Sequence, residues 1–268
     1  SDNNRKLFET LTHGLDASAS DEVATRKGAC YYILGRTKQT EATLEAIGDI
    51  KSLELVNGPE RRSFPYIVPD QNQCAGCHGT STASKSVNPI GPSVANLNRN
   101  GYDGNQNQLD AWQADGWLEI NSNSVPAMKD WQDTSNTLED RARSYLDINC
   151  GHCHSEKGPA DTSGLYLDIA TKHRMRLGEC KLPIAAGQGT GGNKFSIVPG
   201  KPEESILVYR MTSIDPGAMM PELGRSLVHD EGVALIAGWI SEMEGSCDNS
   251  PSFALERSKE RPQAVYGR

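Results

Sequence analysis

A chain of 268 residues suits one large or two modest domains. Hydrophobic residues make up 36% of it, below the ~45–50% apolar share of ordinary globular chains even allowing for the different counting of glycine, and aromatic residues only 6%, so its own side chains make a thin core. The net charge of −8 argues against nucleic acid and anionic membrane as partners and favours a partner with a basic docking face.

The chain opens on the polar run Ser1-Asp2-Asn3-Asn4 and reads as a mature or processed product with no signal peptide in view. No stretch approaches the ~18 apolar residues of a membrane span. Residues 1–65 read as a β-containing N-terminal segment. Ala29-Cys30-Tyr31-Tyr32-Ile33-Leu34 is a short run of β-formers, and Phe64-Pro65-Tyr66-Ile67-Val68-Pro69 is an extended piece whose prolines place it at an edge. Residues 66–133 form a first unit. It carries Cys74-Ala75-Gly76-Cys77-His78, a Gly/Ser/Thr-rich loop, and then Pro89-Ile90-Gly91-Pro92. A helix is expected over about 106–115, with Leu109 and Trp112 on one face and Gly116 as its stop. Val125-Pro126-Ala127-Met128 and an Asp-rich exit close the unit.

Residues 134–247 form a second unit. Thr137-Leu138-Glu139-Asp140 matches a loose capping box, and Leu138, Ala142, Tyr145 and Leu146 recur at helical spacing. That helix delivers Cys150-Gly151-His152-Cys153-His154 at its C-terminal end. Pro202 marks another helix start, followed by Ile206, Leu207 and Met211. A last helix over about 230–244 carries Val233, Ile236, Trp239, Ile240 and Met243 along one stripe. Residues 248–268, with Pro251 and Pro262, read as a polar tail on the surface or partly mobile.

The two pentapeptides carry the chemistry. Each is C-x-x-C-H, the attachment signature of a c-type haem. Two thiols one turn apart add across the porphyrin vinyl groups, and the next residue, His, binds the iron. Cys74, Cys77 and His78 would hold one haem; Cys150, Cys153 and His154 a second. Paired C-x-x-C is also the pattern of a four-cysteine zinc site, but such a site has no need of a His after each pair. With six His in the chain, both following by chance has odds of roughly one in 2000. Two haem c groups imply electron transfer or haem redox catalysis, and they supply the apolar mass that the composition lacks. The expected fold is mainly α: two cytochrome c-like haem units behind a small β-containing N-terminal segment. Haem attachment of this kind takes place outside the bacterial cytoplasm, so the expected location is periplasmic or extracellular.

Each iron needs a sixth ligand or an open position. Met220 in Gly217-Ala218-Met219-Met220-Pro221-Glu222 lies about 66 residues past His154 and before the last helix, where cytochrome c supplies its thioether. Met219 is its alternative, and a Met filling a core gap is the plain one. Met128, about 50 residues past His78 on a Pro-flanked loop, is the matching ligand for the first haem, against His13, another His or an open site. His152 should point away from its own iron, and His173 and His229 read as surface or helix-start residues. The carbonyls of Pro92 and Pro159 are expected to accept the free N–H of the ligating His, against a plain turn.

Seven cysteines leave Cys30, Cys180 and Cys247 outside the motifs. Three pairings are open; Cys180 and Cys247 flank the second haem region and are favoured, which leaves Cys30 a buried free thiol. Gly187-Gln188-Gly189-Thr190-Gly191-Gly192 fits G-x-G-x-x-G but precedes no helical pattern, so it reads as a flexible loop.

Further residues carry a family resemblance. Arg141 to Cys150 leads into the second motif, Gly158-Pro159-Ala160-Asp161-Thr162-Ser163-Gly164-Leu165 follows it, and Val198-Pro199-Gly200 comes next. Ser205 to Met211, Met219 to Gly224, Gly238-Trp239-Ile240 and, before the first motif, Tyr66-Ile67-Val68-Pro69 complete the run. Together they resemble a family of bacterial dihaem c-type cytochromes with no assigned physiological role. The resemblance covers roughly residues 28–247, and residues 11–28 read as an insertion. Members are often encoded beside a parallel β-helix protein, so the resemblance implies such a partner or a larger cytochrome assembly.

The leading functional expectation is an electron carrier, with Met128 and Met220 closing both irons and no distal acid–base pair in view. The rivals are a dihaem peroxidase-like enzyme with one open iron, and an electron-accepting subunit of a dehydrogenase or larger cytochrome assembly.

Overall fold

The computed structural model describes residues 46–78, 90, 93–101, 104–184 and 186–248. The strand expected over 29–34, Cys30, His13, Pro92 and the tail beyond 248 lie outside the described residues.

The described chain opens with an antiparallel hairpin, β1 (Asp49–Asn57) and β2 (Glu60–Val68), in register from Asp49↔Val68 to Asn57↔Glu60. Gly58 opens the two-residue turn at φ +57°, the left-handed value that tight hairpin turns demand of their first residue. Pro65 lies opposite Ser52, and among the described residues the sheet has only these two strands, so its missing N–H falls in an edge strand. Ile50, Leu55, Val56 and Ile67 remain exposed on this hairpin.

The chain passes from β2 into helix α1 (Gln71–His78), which holds the whole first motif. Asp70 starts it: its carboxylate accepts from the N–H groups of Asn72 and Gln73 at 2.8 Å each, and the Gln73 side chain accepts from Asp70 N–H at 2.9 Å. This reciprocal cap satisfies donors that the first turn cannot pair internally.

The next compact region gathers around Val94 and Leu109, with Leu97, Trp112, Leu118, Ile120 and Val125 against them. Helix α2 (Val94–Leu97) is capped by Ser93, and α3 (Gln108–Ala114) by Asn107. Gly116, at φ +76°, follows the Asp115 cap of α3, as expected of a stop. Buried Asn98 ties the region together by donating to Ser122 O at 2.8 Å and Val125 O at 2.9 Å.

Helix α4 (Leu138–Leu146) starts at Thr137, whose hydroxyl accepts from Asp140 N–H at 3.1 Å. It runs into a wider π-type turn, Asp147–Gly151, that enters the second motif. Helices α5 (Ile206–Thr212) and α6 (Asp230–Ser241) complete the largest core, in which α6 packs on both α4 and α5. Leu146, Ile197, Ile236 and Ile240 are fully buried there, with Tyr145, Leu207, Leu235 and Trp239 around them. Trp131 packs on this same core, and its carbonyl accepts from Arg141 Nε at 2.7 Å.

Cys180 and Cys247 form the disulfide favoured above, with Cα atoms 5.1 Å apart. With Phe195 it forms a small cluster of its own, against Leu182 and Val198, and it pins the end of the described chain to the segment at Cys180. Gly187–Thr190 is a short 3₁₀ turn and Gly191 and Gly192 have positive φ, so the Gly-rich segment is a loop. Among the described residues, no helix is long and apolar enough to cross a membrane.

Candidate functional site

The second motif is built as a closed loop. From the π-type turn, the N–H groups of Cys153 and His154 donate to Cys150 O at 3.1 and 2.9 Å. The chain then folds back at Gly158, where a Cβ would lie 2.2 Å from Cys153 O, so only glycine fits. Ala160 N–H donates to Cys153 O at 3.0 Å and Leu167 N–H to His154 O at 2.7 Å. Cys150 packs against the core, and burial pushes its thiol up to about 12.

His154 Nδ1 lies 3.3 Å from Leu165 O, the bond that selects the Nδ1–H tautomer. Burial holds the ring's pKa below its ordinary value, the Leu165 contact opposing it, so the imidazole is neutral with Nε2 left for a metal. The carbonyl expected here was that of Pro159. Pro159 instead belongs to the reversal at Gly158, and the chain needs the 3₁₀ turn Asp161–Ser163 before a carbonyl comes back under the ring.

In the first motif, Cys74 is buried and disulfide-bonded, while Cys77 keeps a free thiol. This departs from the expectation of two free thiols in that motif. A sulfur in a disulfide cannot form a thioether, so haem attachment at Cys74 requires that bond to be reduced first.

The two motifs meet. The Cys153 thiol hydrogen-bonds to Cys77. This bond holds Cys77 down at about 7, against burial and the nearby Glu222 carboxylate, which push it up. Cys153 moves the other way because it is the donor, is part-buried and faces the negative charge of Cys77, Cys150 and Glu222. His152 is held below its ordinary value, first by burial and then by repulsion from His78. Its Nδ1 is buried without a hydrogen-bond partner.

Glu222 therefore brings the segment after Met220-Pro221 beside Cys77 and Cys153. The loop before it is pinned by two arginines. Arg210 Nε donates to Ala218 O at 2.9 Å, and Arg225 Nη2 donates to Arg210 O at 3.1 Å and Ser213 O at 2.5 Å. Met219 is buried, whereas Met220 is half-buried and bonded through its N–H to Arg210 O at 2.9 Å. Met128 is held by its N–H to Ala95 O at 3.0 Å, which attaches it to α2 rather than to α1.

The residues fit a covalent haem at the second motif. Two free thiols stand one turn apart, followed by an imidazole whose Nδ1 is already engaged. Arg143 Nη1 and Arg225 Nε are buried without partners, and such N–H groups are donors suited to an anionic propionate. Among the described residues, no three or more His, Cys, Asp or Glu side chains converge as a group that could hold a metal ion.

Glu222, the unpartnered arginine nitrogens and the Asp70 cap were not singled out from sequence. The cap was legible, since Asp70-Gln71-Asn72-Gln73 is an acid-x-x-Gln pattern directly before the first motif. Glu222 depends on a contact across the chain that no local pattern encodes. Comparison with family models, curated proteins and solved structures gives no match at all.

Proposed function

We propose that the chain is a dihaem c-type cytochrome that passes single electrons between periplasmic or extracellular redox partners. The observation that carries the proposal is the second motif: Cys150 and Cys153 as free thiols, and His154 fixed by Leu165 O with Nε2 left for iron. When bound, haem iron supplies a one-electron couple whose potential is set by its axial ligands and burial.

The chain's residues take defined roles in this reading. Cys150 and Cys153 anchor one haem and Cys74 and Cys77 the other, with His154 and His78 as proximal ligands. Leu165 O orients His154 and raises its basicity. Met220 is the sixth ligand of the second haem: Met219 spends its side chain in the core, and the charge of Glu222, two residues after Met220, is felt at Cys153. Met128 is assigned to the first iron from its place in the sequence. The net charge of −8 suits a redox partner with a basic docking face. A parallel β-helix protein or a larger cytochrome assembly remains the partner class that the family resemblance implies.

A second reading is favoured by one observation. Met128 is attached to α2, so the first iron could keep an open position and serve a peroxidase-like reaction fed by the second haem. Carbon monoxide separates the two. The carrier reading expects slow or no binding to the reduced protein near neutral pH, and binding at one site only after Met128→Ala. Rapid binding to half the haem of the unmutated protein would favour the enzyme.

A further inference from the structure

We infer that Tyr145 and His229 form a redox-active tyrosine site, in which the phenol gives one electron to a strong outer-sphere oxidant and its proton to the imidazole. The site stands independently of haem attachment.

The geometry supplies each part that such a step needs. A phenol that loses an electron alone becomes a strongly acidic radical cation, and a charge of that kind inside a core is costly. A base already at hydrogen-bond distance removes the cost, because electron and proton leave together. Tyr145 is 7% exposed, and its Oη lies 2.8 Å from His229 Nδ1. His229 Nε2 faces the Glu231 carboxylate at 3.7 Å, which places the ring's own proton on Nε2 and leaves Nδ1 as the acceptor. Burial raises the phenol's pKa to about 12, so Tyr145 holds its proton at rest.

The surroundings shield the phenol. The rings of Tyr145 and His229 stack, and Trp131 closes them edge-on. Gly232 lies so close to the phenol oxygen that a Cβ there would be 2.1 Å from it. By contrast, Tyr166 Oη donates to Asp161 O at 3.4 Å, and a backbone carbonyl cannot take up the proton. The His229 side chain is 50% exposed, so the site runs from the core that holds Tyr145, Trp131 and Cys150 out to solvent.

The step balances within the pair and its oxidant. The oxidant gains one electron, the Tyr145 O–H bond breaks, and an N–H bond forms at His229 Nδ1. A neutral tyrosyl radical and an imidazolium remain, with the Glu231 carboxylate beside the new positive charge. One electron from a reductant and return of the Nδ1 proton restore the resting pair.

The test uses the natively matured, oxidised protein, with tris(bipyridine)ruthenium(III) generated by a light flash as the oxidant. Electron paramagnetic resonance of samples frozen after the flash should show a tyrosyl radical that is absent from Tyr145→Phe. His229→Phe, which keeps a ring but no base, should form the radical at least about 10²-fold more slowly. In the unmutated protein, labelling histidine with heavy nitrogen should change the hyperfine couplings of the radical. No radical, a radical that persists in Tyr145→Phe, an unchanged rate in His229→Phe, or couplings insensitive to histidine labelling would each overturn the inference. The labelling result needs no variant to fold, and none of these outcomes bears on whether haem is attached.

Discussion

Tyr145 Oη lies 2.8 Å from His229 Nδ1, with the two rings stacked at a centroid distance of 5.6 Å. Trp131 closes this cluster edge-on to both, at 5.7 Å from Tyr145 and 5.3 Å from His229. The contact joins α4, which leads into the second motif, to the start of α6. His229 is thus the residue before α6 as expected, but its ring is spent on Tyr145 rather than on solvent alone.

Gly232 is what lets the two helices approach. A Cβ there would lie 2.1 Å from Tyr145 Oη and 2.7 Å from His229 Nδ1. An exposed helical Gly→Ala change gains about 1 kcal/mol. At this position Gly232→Ala should instead destabilise the protein by about 1–3 kcal/mol through overpacking. It should also change the near-ultraviolet circular dichroism of Trp131 and Tyr145. Chemical denaturation of both proteins checks this, and equal or higher stability in the variant would refute it.

The Cys180–Cys247 disulfide closes a loop of 67 residues around the second unit. Replacing both cysteines by serine should lower stability by about 3–5 kcal/mol in the chain-entropy account. Peptide mapping without reductant should recover the two as one linked species. Finding both as free thiols would contradict the pairing.

Asp110 gives a pH prediction. Its carboxylate accepts from Ser122 N–H and from Ser122 Oγ, each at 2.7 Å, and the backbone bond and then the hydroxyl bond hold its pKa below the ordinary value. A depressed carboxyl contributes stability that is present above its unfolded pKa and is lost as pH falls through its folded pKa. Asp110→Asn should therefore be less stable than the parent at neutral pH, with the gap closing in the acid range. Denaturation midpoints of the two proteins across pH 2–7 measure this. A gap that stays constant across the range would show that the carboxylate charge contributes nothing.

Much of the α-helical framework was legible because it rests on local signals. Thr137, Gly116 and Pro202 act within a turn of where they stand, and the stripe Ile236, Trp239 and Ile240 declares a buried face at helical period. The strand Asp49–Asn57 gives a weak sequence signal because its apolar residues fall on both faces, Ile50 and Val56 on one and Leu53 and Leu55 on the other, leaving no apolar alternation to read. Its turn, Asn57-Gly58-Pro59-Glu60, was the better signal. At the site, the order Cys-x-x-Cys-His was legible from spacing alone. The partner of His154 was not, since a carbonyl eleven residues along in sequence reaches the ring only through the intervening turn. The meeting of Cys77 with Cys153 is a long-range contact of the same kind.

The central claim is that both motifs carry covalent haem, and intact mass spectrometry of the natively matured protein under denaturing conditions tests it most directly. The account predicts a mass above that of the polypeptide by two haems, with Cys74, Cys77, Cys150 and Cys153 all blocked as thioethers. An unmodified polypeptide mass, with Cys74 still in its disulfide and free thiols at Cys77, Cys150 and Cys153, would contradict it.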